Sequence, residues 1–214
     1  MSVILLIGAY LIGSIPTALI VGKIFFNIDI REHGSNNPGA TNTVRVLGKR
    51  AGFAVLLIDV GKGALAAALP FLFTVDLEPL TLGLVAVVGH CFPLFARFRG
   101  GKAIATTAGA LLIANPLMLL VAYVTFFGVI FITKYVFMGS ISVGVALFIY
   151  SFFEPGIKHE LIFFIFILFL IFLHRSNIRN FKAKKEPKVN DKNLKNDRIP
   201  SKNKTRVGTT QNRV

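Results

Sequence analysis

Residues 161–173 contain no polar side chain, and a run of that kind has no place on the surface of a water-soluble fold. It belongs to the last of seven apolar segments, at 2–26, 51–73, 79–96, 103–114, 117–133, 138–153 and 160–173, with short polar breaks between them. The whole chain agrees. Of its 214 residues 54% are hydrophobic and only 16% charged, too few polar groups to cover a soluble domain of this length. The expected fold is an all-α polytopic membrane protein with seven transmembrane helices. The first segment reads as a retained helix, because no basic start precedes it and Lys23 follows its apolar stretch.

The stretch 103–133 is long enough to be one helix, but the Asn115-Pro116 step removes a backbone donor and disfavours helix at the residue before it. Charge supports a break there. With it, loops 27–50 and 97–102, Lys134 and the C-terminal tail share one side, as the positive-inside rule requires. The other side carries Asp76, Glu78, Glu154 and Glu160 against Lys158. The N-terminus is then outside and the C-terminus cytoplasmic. Residues 103–114 rise about 18 Å, short of a hydrocarbon core of about 30 Å, and read as a half-helix whose N-terminus faces a cytoplasmic cavity.

The net charge of +14 does not imply nucleic acid, because 13 of the 24 Lys and Arg lie between residues 174 and 214. The predicted organisation is a membrane-embedded domain over 1–181 and a basic, disordered cytoplasmic tail over 182–214, suited to contact with anionic membrane lipid. Cys91 is the only cysteine and excludes an intramolecular disulfide. No Cys/His cluster has metal-ligand spacing, so neither a metal nor a cofactor is expected.

Three polar clusters interrupt this apolar chain. The loop from Arg31 to Arg45 offers Ser35, Asn37, Thr41 and Asn42 as neutral hydrogen-bonding groups and Arg45 as a planar fork for a phosphate or carboxylate. The loop Phe98-Arg-Gly-Gly-Lys102 opens directly into the half-helix, so Gly100 and Gly101 are expected to expose amides, beside the Lys102 ammonium, to an anion. There is no Walker motif and no nucleotide is inferred. His90, next to Gly89 on the preceding helix, reads either as a packing histidine or as part of this site. His174 and Asn177, three apart at the end of the last helix, share a face where a histidine can take a proton or bond an oxyanion. Asp59 and Lys62 interrupt an apolar helix three residues apart and are expected to pair.

Three elements in order, Gly34-Ser-Asn-Asn-Pro-Gly-Ala-Thr-Asn42 with Arg45, Gly89-His-Cys-Phe-Pro-Leu-Phe95 with Gly100-Gly-Lys102, and His174-Arg-Ser-Asn-Ile178, resemble the bacterial acyl-phosphate:glycerol-3-phosphate acyltransferase family, PlsY. The resemblance runs to about residue 188. It implies Ser35, Arg45, His174 and Asn177 as catalytic residues, and glycerol 3-phosphate bound by the glycine-rich second element. By the same resemblance, Asp59, Lys62 and Gly63 match an Asp-x-x-Lys-Gly element, Ser140 corresponds to a substrate-site serine, and Glu186 to a structural glutamate. The sequence departs from the family pattern at Asn36, where Gly is usual, at Phe137 in place of Ser, and at Lys184-Lys185 in place of Gly-Thr.

The implied reaction joins the 1-hydroxyl of glycerol 3-phosphate to the acyl group of a long-chain acyl phosphate, in the bacterial inner membrane, with a soluble phosphate acyltransferase supplying the donor. No His-x-x-x-x-Asp occurs, since His33, His90, His159 and His174 are followed five residues on by Pro38, Phe95, Phe164 and Arg179. That argues against the class that uses acyl-CoA or acyl carrier protein. The residues alone leave two other readings: a transporter of an organic phosphate or anion, for which a half-helix and buried charges are also suited, and a scaffold whose tail recruits a partner.

Overall fold

The structure, a computed structural model, describes residues 1–154 and 159–200. Lys158, used above to assign sides, and the tail from 201 onward lie outside them. Among the described residues there is no strand, and every one of the seven apolar segments is helical. Four helical stretches are long and apolar enough to cross a membrane: Ser2–Phe26, Lys49–Phe73, Pro79–Ala96 and Pro116–Thr133. Glu160–Leu173 and Arg175–Lys182 make a fifth if their 56° bend is taken as one broken span.

The elements end where local chemistry requires. Helix α1 (Ser2–Gly13) stops before Pro16, which has no N–H to continue it, and the chain resumes as α2 (Thr17–Val21) and a π-turn at Gly22–Phe26. A short α3 (Ala40–Leu47) is closed by Gly48 at φ 99° and followed at once by α4 (Lys49–Phe73). Pro79 occupies the first turn of α5 (Pro79–Cys91), where a missing N–H costs nothing. The half-helix α6 (Ile104–Ala114) has 11 residues and rises about 16 Å. Asn115 then caps α7 (Pro116–Thr133): its Oδ1 accepts from the amides of Leu117 and Met118, both at 3.1 Å. The rest is α8 (Val136–Ser151), α9 (Glu160–Leu173) and α10 (Arg175–Lys182).

Asn115 also donates to Glu154 Oε1 at 2.5 Å. Asn115→Ala is therefore expected to lower stability by about 1–2 kcal/mol, from the lost cap and the lost bond to the carboxylate. Thermal unfolding in detergent reads this, and an unchanged midpoint would show that the break is held by Pro116 alone.

The chain divides into two compact units, residues 1–110 with the segment from 192, and residues 111–191. In the first, Leu5, Ala9, Ala66, Leu69, Leu82 and Ala86 knit α1, α4 and α5 together. Close approach depends on small residues, as expected where lipid supplies no hydrophobic drive between helices. A Cβ at Gly13 would collide with the Ala86 carbonyl, one at Gly63 with the Thr106 carbonyl, and one at Gly109 with the Val60 carbonyl. α4 and the first turns of α6 are thus in backbone contact. In the second unit, Gly139 fits α8 onto Phe126 and Ile130 of α7, and Gly144 fits it onto Leu170 and Ile167 of α9. Large apolar side chains such as Phe131 and Ile132, 76% and 79% exposed, clothe the outside, which suits hydrocarbon rather than water.

Of the segment that composition assigns to a tail, the described part has defined structure. Lys182 closes α10, Val189 N–H donates to Lys134 O at 2.9 Å, and Lys192–Asp197 forms a 3₁₀ turn.

Candidate functional site

The first polar loop is held up from within by Asn42. Only 1% exposed on α3, it accepts the Ser35 amide at 2.9 Å through Oδ1 and donates through Nδ2 to Ile30 O at 3.3 Å and His33 O at 3.0 Å. Its bonding capacity is largely spent on backbone, so it stands beneath the loop as a post. Gly34 adopts φ 61° directly over it, where a Cβ would meet Asn42 Oδ1. Asn36, at the position where glycine is usual, adopts φ 59°, a conformation that asparagine tolerates better than most residues. Ser35 and Thr41 are exposed, and the Asn37 amide lies against Gly39. Arg45, on the last turn of α3, is half-buried, and its Nε donates to Asp197.

Arg31 anchors this loop to the turn after α5. Its guanidinium bonds Asp29 through Nε and Nη2 and donates from Nη1 to Ala96 O at 2.9 Å. Those bonds hold the Asp29 carboxyl down at about 2, below the usual carboxylate range, and raise Arg31. With its folded pKa depressed, Asp29 supplies the anchor in full above about pH 4 and loses it only as pH falls through about 2.

The second loop differs from its expected form in one respect. The Gly100 amide donates to Cys91 O and the Gly101 amide to His90 O, both at 3.1 Å. Neither is presented to an anion, because each satisfies a carbonyl that the end of α5 leaves over. The glycines are needed for another reason: a Cβ at Gly101 would enter the His90 imidazole, and one at Gly100 the His90 carbonyl. Gly89 lets α5 lie on the Tyr10 carbonyl of α1 in the same way. The groups at this end of α6 with the chemistry to meet an anion are thus the Lys102 ammonium and the positive end of the helix itself, although the Ile104 amide bonds Lys102 O at 3.0 Å and the Thr107 amide bonds Ala103 O at 2.9 Å.

Two residues of that turn stand out that sequence reasoning did not single out as ligands. The hydroxyls of Thr106 and Thr107 are buried and have no hydrogen-bond partner among the described residues. Buried polar groups are nearly always satisfied. A pair of threonines one helical turn after Gly-Gly-Lys is the signal that could have found them.

Beneath the loop lies the expected ion pair. Lys62 Nζ is 2.8 Å from Asp59 Oδ1 and donates to Ile15 O at 2.9 Å, while Thr17 Oγ1 donates to Asp59 Oδ1 at 3.0 Å. His90 Nδ1 stands 3.7 Å from the same carboxylate oxygen. A cavity lined by Thr17, Pro38, Lys62, His90, Gly100 and Gly101 opens between the two loops.

Ala103 joins Lys102 to α6 at φ 73° and is fully buried. A left-handed alanine costs roughly 1–2 kcal/mol, which glycine avoids at the expense of a more flexible unfolded chain. Ala103→Gly is therefore expected to raise the thermal midpoint by the equivalent of up to about 1 kcal/mol; a fall would mean that the buried methyl contributes more than the strain costs.

The second unit carries the remaining candidates. His174, 3% exposed at the α9–α10 bend, has Nδ1 at 2.9 Å from Leu170 O. A carbonyl can only accept, so Nδ1 carries a proton, and in the neutral imidazole the lone pair is then on Nε2. Asn177 Nδ2 donates to Glu186 Oε1 at 2.6 Å, which fixes the Asn177 amide and makes Glu186 its support. Ser140 is buried in α8, its hydroxyl donating to Val136 O at 3.1 Å. Phe137 packs with Tyr135 and Phe181.

A family model described as glycerol-3-phosphate acyltransferase matches residues 3–184. Proteins named glycerol-3-phosphate acyltransferase are similar to the chain. The one from Bacillus subtilis (strain 168) is 50% identical over 186 residues, covering 87% of this chain and 96% of its own. The one from Macrococcus caseolyticus (strain JCSC5402) is 46% identical over 186 residues with the same coverage. Among solved structures, PlsY, an integral membrane glycerol 3-phosphate acyltransferase, is similar in its glycerol 3-phosphate form, with TM-score 0.79, 31% identity, and coverage of 87% of this chain and 94% of that one. Its lysophosphatidic acid form gives a TM-score of 0.76 at the same identity. With nearly the whole apolar part of the chain matched at this level, the protein belongs to the glycerol-3-phosphate acyltransferase family.

Proposed function

We propose that the protein transfers the acyl group of a long-chain acyl phosphate to the 1-hydroxyl of glycerol 3-phosphate, giving lysophosphatidic acid and inorganic phosphate. The observation that carries this reading is the likeness, over 87% of the chain, to a solved acyltransferase described in both a glycerol 3-phosphate form and a lysophosphatidic acid form. The choice of donor is supported by the resemblance of the three polar elements and by the lack of a His-x-x-x-x-Asp pattern. The protein acts in the bacterial inner membrane with these elements on the cytoplasmic face, as seven helices including the half-helix α6, N-terminus outside and C-terminus inside, and a soluble phosphate acyltransferase delivers the donor.

In the reaction the 1-hydroxyl oxygen bonds to the acyl carbon, the carbon–oxygen bond to phosphate breaks, and the hydroxyl proton passes to His174 Nε2 or to a substrate phosphate. Phosphate is a good leaving group, so no acyl-enzyme is required and Ser35 orients rather than attacks. The protein's task is to align two anionic substrates and offset their repulsion. Arg45, Lys102 and the first turn of α6 supply that positive potential. Asn177, held by Glu186, orients the reacting groups.

The test is the release of inorganic phosphate from palmitoyl phosphate by the purified full chain. Release that depends on glycerol 3-phosphate and matches lysophosphatidic acid in amount is the expected result. Equal turnover of palmitoyl-CoA would overturn the donor assignment. No turnover of either donor by folded protein would overturn the acyltransferase reading.

A further inference from the structure

The family match ends at residue 184, yet the chain continues and comes back to the first polar loop. Three contacts bring it there. Ile199 N–H donates to Val46 O at 2.9 Å, and its side chain packs against the cluster of Ala18, Val21, Ile30, Val46 and Val55. The Arg198 guanidinium lies where a Cβ at Gly48 would stand. At the end of the 3₁₀ turn, just before these anchors, Asp197 Oδ2 accepts from Arg45 Nε.

We propose that residues 192–199 form an intramolecular strap whose Asp197 carboxylate competes with the anionic substrate for Arg45. The inference rests on the reading above, in which Arg45 receives a phosphate. Asp197 is the sole acidic residue in a strap that also carries Lys192, Lys195 and Arg198, and it is placed on the one arginine of α3. A carboxylate there takes up a guanidinium N–H and sets a negative charge where a phosphate dianion must arrive, so strap and substrate exclude each other in part. The hold includes one backbone hydrogen bond, one apolar side chain, the Arg198 guanidinium over Gly48, and an ion pair with both partners partly solvated, which is worth little on its own. Such a strap lowers the apparent affinity for substrate without closing the site. Because it lies outside the family match, it tunes this chain and is not a part of the reaction shared with its relatives.

The experiment is the dependence of rate on glycerol 3-phosphate at saturating palmitoyl phosphate, in the full-length chain. Asp197→Asn keeps the shape and removes the charge; Ile199→Ser loosens the anchor without touching Arg45. Both are expected to lower KM about three- to tenfold and leave kcat within about twofold, with the difference from wild type shrinking as salt is raised. An unchanged or higher KM in both variants overturns the strap, a higher one meaning that Asp197 holds Arg45 in position for substrate. Arg45→Ala separates the two levels. If it destroys activity while Asp197→Asn leaves KM unchanged, the strap alone is wrong. If it stays active, the reading on which the strap rests is wrong.

Discussion

Arg45→Ala is expected to reduce kcat/KM for glycerol 3-phosphate by about 100-fold or more while the protein remains folded. Charge-assisted bonds from a guanidinium to a phosphate are worth about 1.5–3 kcal/mol each, and a donor that also meets charge developing in the transition state contributes up to about 4 kcal/mol. The fold does not depend on this side chain. Arg45 is half-buried on the last turn of a short helix, and it pairs with Asp197 of the strap, itself partly in water. Arg45→Lys keeps the charge but loses the planar fork, and recovers only part of the activity. One complication can be removed experimentally. Truncating Arg45 leaves the Asp197 carboxylate near the site, where it repels substrate by itself. The double variant Arg45→Ala with Asp197→Asn should therefore stay as impaired as Arg45→Ala if the guanidinium is what binds phosphate. Recovery to more than about a tenth of wild-type kcat/KM in either variant would take Arg45 out of the phosphate site.

What the sequence discloses about this molecule follows from how local each cause is. The apolar segments are legible because lipid demands long uninterrupted runs, and the break at Asn115-Pro116 is legible because both residues act on their immediate neighbours: proline withholds an amide and asparagine caps the next two. The Asp59–Lys62 pair is one helical turn apart and was equally readable. Gly100 and Gly101 were found, but the reason for them was not. Their amides turn back onto carbonyls about ten residues earlier and their bare Cα atoms face His90, a contact set by how α5 ends and not by the loop itself. Asn42 reads in sequence as one more polar group of the loop, whereas its burial beneath Gly34 gives it the backbone of Ile30, His33 and Ser35 to hold. Least visible was Asp197. A lone acid in a Lys- and Asn-rich stretch carries no pattern, and its placement depends on Ile199 reaching a cluster built from residues more than 140 positions earlier.

His174→Ala is expected to lower kcat by about 100- to 10,000-fold, the range for removal of a positioned general base. The local structure makes this a clean test. Leu170 O accepts both the His174 amide at 3.0 Å and His174 Nδ1 at 2.9 Å. Removing the imidazole leaves the Leu170 carbonyl bonded to the His174 amide, and thermal unfolding of the variant reads separately how much the fold loses. In the neutral imidazole the bond from Nδ1 to Leu170 O selects the tautomer with its lone pair at Nε2, the form that can accept a proton from a hydroxyl. If His174 is the base, the loss appears in kcat, KM for glycerol 3-phosphate stays within a few-fold of wild type, and the acid limb of the wild-type pH–rate profile disappears from the variant. His174→Gln keeps a donor and acceptor without a titrating nitrogen, and should be nearly as slow as His174→Ala. If His174→Gln instead restores kcat to within about tenfold of wild type with the acid limb unchanged, the imidazole serves as a hydrogen-bonding group. The proton then goes to a substrate phosphate, whose second ionisation near neutral pH is suited to receive it.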